Sequence, residues 1–241
     1  MARIVVLQHN PHAHAGRLGR TLRDHGFRLD VRRPDLDPDQ VPSDIDDLHG
    51  LVILGGHQNV DENHAFLARE QALIRAMHAA ERPVVGVCLG SQQITVALGG
   101  KVDRMPEPEV GMTPIRLSVP GQTETILAGV PWSCPMLHSH AYHAVTPAPG
   151  ATVLASSDKS KVQAYKVGLR TYGFQFHFEC DIPMVSEMFD RSQELADRAG
   201  LSRAQLDAQL AEHAEMFDRA ADRICTNLAV CAFTFQELLS V

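Results

Sequence analysis

The segment Pro83-Val-Val-Gly-Val-Cys-Leu-Gly-Ser-Gln-Gln-Ile-Thr-Val-Ala-Leu-Gly-Gly100 changes character in its middle. Pro83 to Val87 is apolar on both faces, as a central parallel strand covered by helices must be. The far end carries Ile94, Val96, Ala97 and Leu98 in a short helical stretch that Gly99-Gly100 stops. Between them stands Gly86-Val87-Cys88-Leu89-Gly90, with glycines two before and two after a potential nucleophile. A sharp strand-to-helix turn needs neighbours without a β-carbon to let the chain pass, and it leaves its central side chain at the strand's carboxyl end. Helix N-terminal amides and the helix dipole there favour a thiolate and can hold an oxyanion. A buried structural cysteine at an ordinary βα turn satisfies the same spacing, so a second motif has to decide.

Tyr172-Gly-Phe-Gln-Phe-His-Phe-Glu179 is that second motif. Its alternation predicts a strand ending in His177 and Glu179. Residues two apart on a strand share a side, so the carboxylate can reach the imidazole and hold its tautomer. A nucleophile, a base and a group that orients the base are then all present.

Gly86-Val-Cys88-Leu-Gly90-Ser-Gln92 together with Gln175-Phe-His177-Phe-Glu179 resembles the triad framework of class I glutamine amidotransferase domains. The likeness is greatest to stand-alone members resembling the amidotransferase half of GMP synthase, and it covers about residues 1–185. It implies that Cys88 attacks a γ-glutamyl amide, that His177 shuttles the proton and that Glu179 supports His177. Gln92 matches the glutamine-binding position. Leu51-Val-Ile-Leu-Gly55-Gly56 matches the glycine loop, with Gly55 beside the substrate and Gly56 giving one oxyanion amide; Leu89 gives the other. Glu109-Val-Gly-Met-Thr-Pro-Ile115 resembles a segment whose backbone contacts the amino-acid end of glutamine, which makes Val110, Gly111 and Met112 candidates for the binding wall. Met136-Leu-His-Ser-His140 resembles the stretch that lines the same mouth, which adds Ser139 and His140. Two departures stand out: His57-Gln58 where the family usually continues with proline, and Ala141-Tyr142 where glycine and aspartate often follow. No cofactor and no metal is implied.

The remaining sequence bounds the answer. A net charge of −7 argues against a non-specific nucleic-acid partner. Five cysteines, odd in number and without a C-x-x-C pair, indicate neither a disulfide framework nor a zinc site and fit a reducing cytoplasm. No apolar run approaches a membrane span. The histidine-rich loop His9-Asn-Pro-His-Ala-His14 lacks acidic or cysteine partners at ligand spacing, so it is expected to overhang the site or face solvent rather than hold a metal.

Strands over Arg3–Gln8, Phe27–Val31 and Leu51–Leu54 alternate with helices over Ala15–His25 and Asp61–Ala80, joined in part by a surface connection, Asp35–Asp47. That alternation predicts an α/β fold: a doubly wound, mostly parallel, flavodoxin-like sheet with helices on both faces. From Lys101 onward short β-rich segments (101–104, 113–119, 151–155 and 162–167) predict a small antiparallel extension. After Glu179, a helix over Ile182–Asp197 is expected to close the domain. Ser202-Arg-Ala-Gln205 then reads as a capping box, and Leu210, Ala214, Phe217, Ala221, Ile224 and Leu228 recur at helical spacing. Residues 186–241 are thus expected to be a C-terminal helical extension packed on the domain, with a homo-oligomer contact as the alternative.

The expected function is a cysteine-dependent amidohydrolase that cleaves glutamine or a γ-glutamyl peptide through a thioester. The alternatives are a glutaminase subunit passing ammonia to a separate synthetase, and a catalytically silent glutamine sensor. A related type of cysteine hydrolase places histidine directly after its nucleophile, where this chain has Leu89.

Overall fold

A single nine-stranded sheet organises the computed structural model, which describes residues 2–233. β1 (Arg3–Leu7), β3 (Gly50–Ile53) and β4 (Val84–Val87) are the apolar runs of the sequence, and burial on both faces explains their composition. β2 (Arg28–Arg32) pairs with β1 at the sheet edge, where Arg28, Asp30 and Arg32 discourage further strand addition. α1 (Gly16–Asp24), α2 (Ala65–Ala79) and α3 (Leu89–Ala97) connect these strands.

The chain continues through β5 (Lys101–Leu117), the short α4 (Val119–Thr123), β6 (Ser133–Thr146), β7 (Ala151–Ser156), β8 (Ala164–Val167) and β9 (Thr171–Phe174). The strand order is β2-β1-β3-β4-β9-β8-β7-β5-β6. Four neighbouring pairs are parallel and four antiparallel, so the sheet is evenly mixed rather than mostly parallel with a small extension. The two segments expected at 101–104 and 113–119 are one long strand. Pro106 and Pro108, which cannot donate to a ladder, fall where the β5–β6 register shifts and made the strand read as interrupted.

Alternation along the strands divides the core. Ile4, Val6, Val52 and Val85 face Leu18 and Leu22 of α1, while Val5, Leu7, Leu51 and Ile53 face Phe66, Ile74 and Met77 of α2. α3 comes close enough to β3 that a β-carbon on Gly90 would collide with the Ile53 carbonyl.

The helix expected over 182–197 breaks at Ser192 into α5 (Ile182–Arg191) and α6 (Gln193–Ala199). α7 (Arg203–Asn227) starts with a complete Ser202–Gln205 capping box. Its Phe217, Ala221 and Ile224, with Leu228 just beyond, are fully buried in the α1 side of the core; Leu210 and Ala214 are only half-buried. The guanidinium of Arg17 on α1 meets Asp218 (2.5 Å) and Asp222 (2.6 Å) of α7 and sits 5.7 Å from the Phe217 ring centre. The last part of the predicted extension, 234–241, lies outside the described residues. No helix among the described residues is long and apolar enough to cross a membrane.

Because Phe217 is wholly enclosed, Phe217→Ala is expected to lower the free energy of unfolding by about 3–5 kcal/mol. Urea denaturation measures this, and a loss below about 1 kcal/mol would mean that α7 is dispensable to the core.

Candidate active site

Cys88 sits between β4 and α3 with φ 51° and ψ −106°, a left-handed backbone that non-glycine residues seldom adopt. Its N–H donates to the carbonyl of Phe174, the last residue of β9, at 2.8 Å. That bond fixes the turn against the strand leading to His177. Cys88 is 7% exposed and lines a cavity of about 830 Å³ together with Gly55, Gly56, Leu89, Gln92, Ser139, His140 and His177. The cavity opens where loops leave the carboxyl ends of β1, β3, β4 and β9, the usual ligand crevice of an open α/β sheet.

The second motif is not strand to its end. β9 stops at Phe174, and His177 continues in irregular backbone whose N–H donates to the Leu137 carbonyl of β6 at 2.8 Å. Even so, His177 Nδ1–H donates to Glu179 Oε1 at 2.7 Å, both side chains being buried. That leaves Nε2 for the Cys88 thiol. Burial works to lower the His177 pKa, but the charge of Glu179, the nearby Cys88 and hydrogen bonds to Cys180 and Cys88 outweigh it and hold the pKa well above the ordinary histidine value. Cys180 adds a thiol beside Glu179 Oε1 at 3.8 Å, and burial pushes that thiol up to about 12, so it remains a neutral donor. Gly55 closes the space between the two key side chains: a β-carbon there would lie 3.0 Å from His177 Cε1 and 3.5 Å from Cys88 Cβ.

His9 and Glu70 stand far apart in the sequence, yet together they govern the glycine loop. His9 is fully buried, with Nδ1 3.3 Å from the Gly55 carbonyl and Nε2 2.8 Å from Glu70 Oε1. A carbonyl only accepts, so Nδ1 carries a proton. Burial acts to lower the His9 pKa, while the charge and hydrogen bond of Glu70 outweigh it and raise it. The Gly55 carbonyl and the Gly56 N–H belong to one planar trans peptide and point opposite ways. Holding the first toward His9 therefore turns the second away from it. Leu89, as the first residue of α3, offers an amide that its own helix does not take up. The one hint at His9 is its place directly after a buried strand; its distant partner Glu70 gives none.

Gln92 Nε2 donates to the Tyr142 carbonyl (3.1 Å) and to Gln175 Oε1 (3.2 Å), so what it offers a ligand is its acceptor Oε1. Val110, Gly111 and Met112 are a correction, because none of them lines the cavity. The C-terminal helices cover this part of β5: Gln209 of α7 takes the Met112 N–H at 2.9 Å, and Gln209 and Leu201 fill the space where a β-carbon of Gly111 would go. In place of that wall, α5 and α6 contribute Met184, Glu187, Met188, Arg191, Leu195 and Arg198 to the cavity. In the histidine-rich loop, Asn10 to Ala13 line the mouth, while His9 lies beneath it.

The family model described as glutamine amidotransferase class-I matches residues 14–184, and the chain belongs to that family. It is 34% identical over 208 residues to the glutamine amidotransferase-like protein YfeJ of Salmonella typhimurium, covering 82% of this chain and 84% of that protein. It is 31% identical over 143 residues to a glutamine-hydrolyzing GMP synthase subunit of Sulfolobus acidocaldarius, covering 59% of this chain and 73% of that relative. Among solved structures, a glutamine amido transferase from Methylobacillus flagellatus superposes with a TM-score of 0.83 at 27% identity over 94% of both chains.

The raised pKa of His177 has a defined consequence for stability. An unfolded histidine titrates near about 6.5, so the tighter proton binding of the folded state stabilises fully below that pH. The contribution is lost as pH rises through the folded value. Unfolding free energy is therefore expected to decline above about pH 6.5, and Glu179→Gln should flatten that decline in denaturant titrations. An unaltered slope would show that Glu179 is not the charge that holds the proton on His177.

Proposed function

We propose that this protein is a cysteine-dependent amidohydrolase that cleaves a γ-glutamyl amide through a γ-glutamyl thioester. The observation that carries the reading is the pairing of Cys88 on a strained turn with a buried His177–Glu179 bond of 2.7 Å at the edge of one cavity. Cys88 Sγ attacks the γ-carbonyl carbon. The resulting oxyanion accepts hydrogen bonds from the Gly56 and Leu89 amides. His177 passes a proton to the departing amine, then takes one from the water that resolves the thioester, while Glu179 keeps Nδ1 protonated and the ring aligned. Gly55 and Gln92, with Ser139 and His140, form the pocket around the acyl group. In this reading residues 1–185 are the class I amidotransferase unit and 186–241 its helical extension, which enlarges the substrate pocket. The chemistry requires no cofactor.

A cavity of about 830 Å³ is of the size that accommodates drug-sized ligands rather than a single amino acid. Arg104 of β5 and Arg198 of α6 line it and make no ion pair among the described residues. Two free guanidinium groups suit a leaving group that bears its own carboxylate, as a γ-glutamyl peptide does. The preferred substrate is therefore a γ-glutamyl peptide, with free glutamine poorer. A second reading, a glutaminase subunit supplying ammonia to a separate synthetase, draws on the likeness to the GMP synthase relatives.

Cys88→Ala is expected to lower kcat by on the order of 10⁴-fold or more, and Glu179→Gln by less, because Glu179 orients rather than reacts. Rates with glutamine and with a panel of γ-glutamyl dipeptides, each with and without added synthetases, decide between the two readings. Inertness toward every compound alone, with glutamine turnover appearing on addition of one synthetase, would overturn stand-alone hydrolysis. Arg198→Ala should raise KM for γ-glutamyl dipeptides several-fold, the size of an exposed ion pair, and leave KM for glutamine unchanged.

A further inference from the structure

Beside His177 lies a group of side chains of which the proposed hydrolysis uses only His140, as part of the pocket wall. His138 and His140 are two apart on β6 and share a face, and Glu109 of β5 is the register partner of His140. All three are buried. Their facing atoms form a small triangle: His138 Nδ1 to His140 Nε2 is 3.4 Å, His140 Nε2 to Glu109 Oε2 is 3.4 Å, and His138 Nδ1 to Glu109 Oε2 is 3.7 Å. Every side is longer than a well-formed hydrogen bond of about 2.7–3.2 Å. Ligands at zinc bond lengths around a tetrahedral ion stand about 3.3–3.6 Å apart. The triangle therefore matches the spacing of three ligands on one face of a zinc tetrahedron.

Outer partners fix His140 and Glu109, whereas His138 Nε2 is buried with no hydrogen-bond partner among the described residues. His140 Nδ1 lies 3.1 Å from the Tyr142 carbonyl, which can only accept, so that nitrogen carries the proton and Nε2 presents a lone pair to the triangle. Glu109 Oε2 accepts from Gln163 Nε2 (2.7 Å) and Ser157 Oγ (3.0 Å), which occupy both its lone pairs, so a bound ion takes the place of one of these donors; Oε1 accepts from Thr113 Oγ1 (3.1 Å). Bonds of this outer kind orient metal ligands and set their tautomers. Two imidazoles select a d-block cation over magnesium or calcium, and buried donors at this spacing suit zinc.

We propose that His138, His140 and Glu109 bind one zinc ion, which clamps β5 to β6 beside His177. His140 lines the cavity, giving the remaining coordination position an approach from that side. The clamp bears on the reaction centre through the Leu137 carbonyl, next to His138 on β6, which accepts the His177 N–H.

The full-length protein, stripped by a chelator, equilibrated with Zn²⁺ and passed through a desalting column, should retain a single equivalent of zinc by elemental analysis. Loading with Co²⁺ in its place should give the intense visible absorption of a tetrahedral site, with no sulfur-to-metal charge-transfer band in the near ultraviolet. His138→Gln, with its fold checked by circular dichroism, should weaken zinc binding by more than about 100-fold, beyond what loss of an outer partner causes. Failure of the wild-type protein to retain zinc would overturn the proposal without recourse to a variant. A charge-transfer band that disappears in Cys88→Ser would also overturn it, because the ion would then sit at the thiol. Equal zinc affinity in folded His138→Gln would do the same.

Discussion

The backbone of Cys88 is held at a positive φ, and most of the site follows from how that strain is accommodated. A residue in this region costs on the order of 1–3 kcal/mol, so the turn persists only where its surroundings over-determine it. Three contacts do so here. The Cys88 N–H is tied to Phe174, Gly90 lets α3 press against the Ile53 carbonyl, and Gly55 leaves room for the His177 ring directly beside the thiol-bearing carbon. The order β3-β4-β9 in the sheet makes these contacts possible, because it sets the glycine loop and the histidine segment on either side of the cysteine.

The C-terminal helices are coupled to this centre by more than their apolar stripe. Arg17 joins Asp218 and Asp222 of α7 to the backbone that carries Glu179: its Nε donates to the Cys180 carbonyl at 3.1 Å and its backbone N–H to the Glu179 carbonyl at 2.8 Å. A buried guanidinium so engaged satisfies carbonyls that would otherwise be costly to enclose. The segment after Glu179 also forms one side of the cavity, so the same extension stabilises the core and shapes what can enter.

The antiparallel half of the sheet has a comparable double role. β6 accepts the His177 N–H through Leu137, lends Ser139 and His140 to the cavity, and carries His138 opposite the Glu109 strand. Its pairing with β5 is the longest in the sheet, which gives this wall a rigidity that a loop of the same composition lacks.

Local pattern was enough for much of this. The glycines around Cys88, the two-residue spacing of His177 and Glu179, the strand-helix rhythm of the first hundred residues and the Ser202–Gln205 cap all act within a few residues, so their physical causes were legible in the sequence, although the strand expected to reach Glu179 ends at Phe174. The even mixture of the sheet was not, because Pro106 and Pro108 masked a strand whose continuity rests on pairing with β6. Nor was the fate of Val110, Gly111 and Met112, since only packing brings Gln209 from nearly a hundred positions away to take the Met112 amide. His9 with Glu70, and His138 with His140 and Glu109, are likewise pairs and clusters across strands and helices. Periodicity reveals which face of an element a side chain occupies, whereas the partner on that face is chosen by long-range closure of the sheet, and that closure belongs to the tertiary structure.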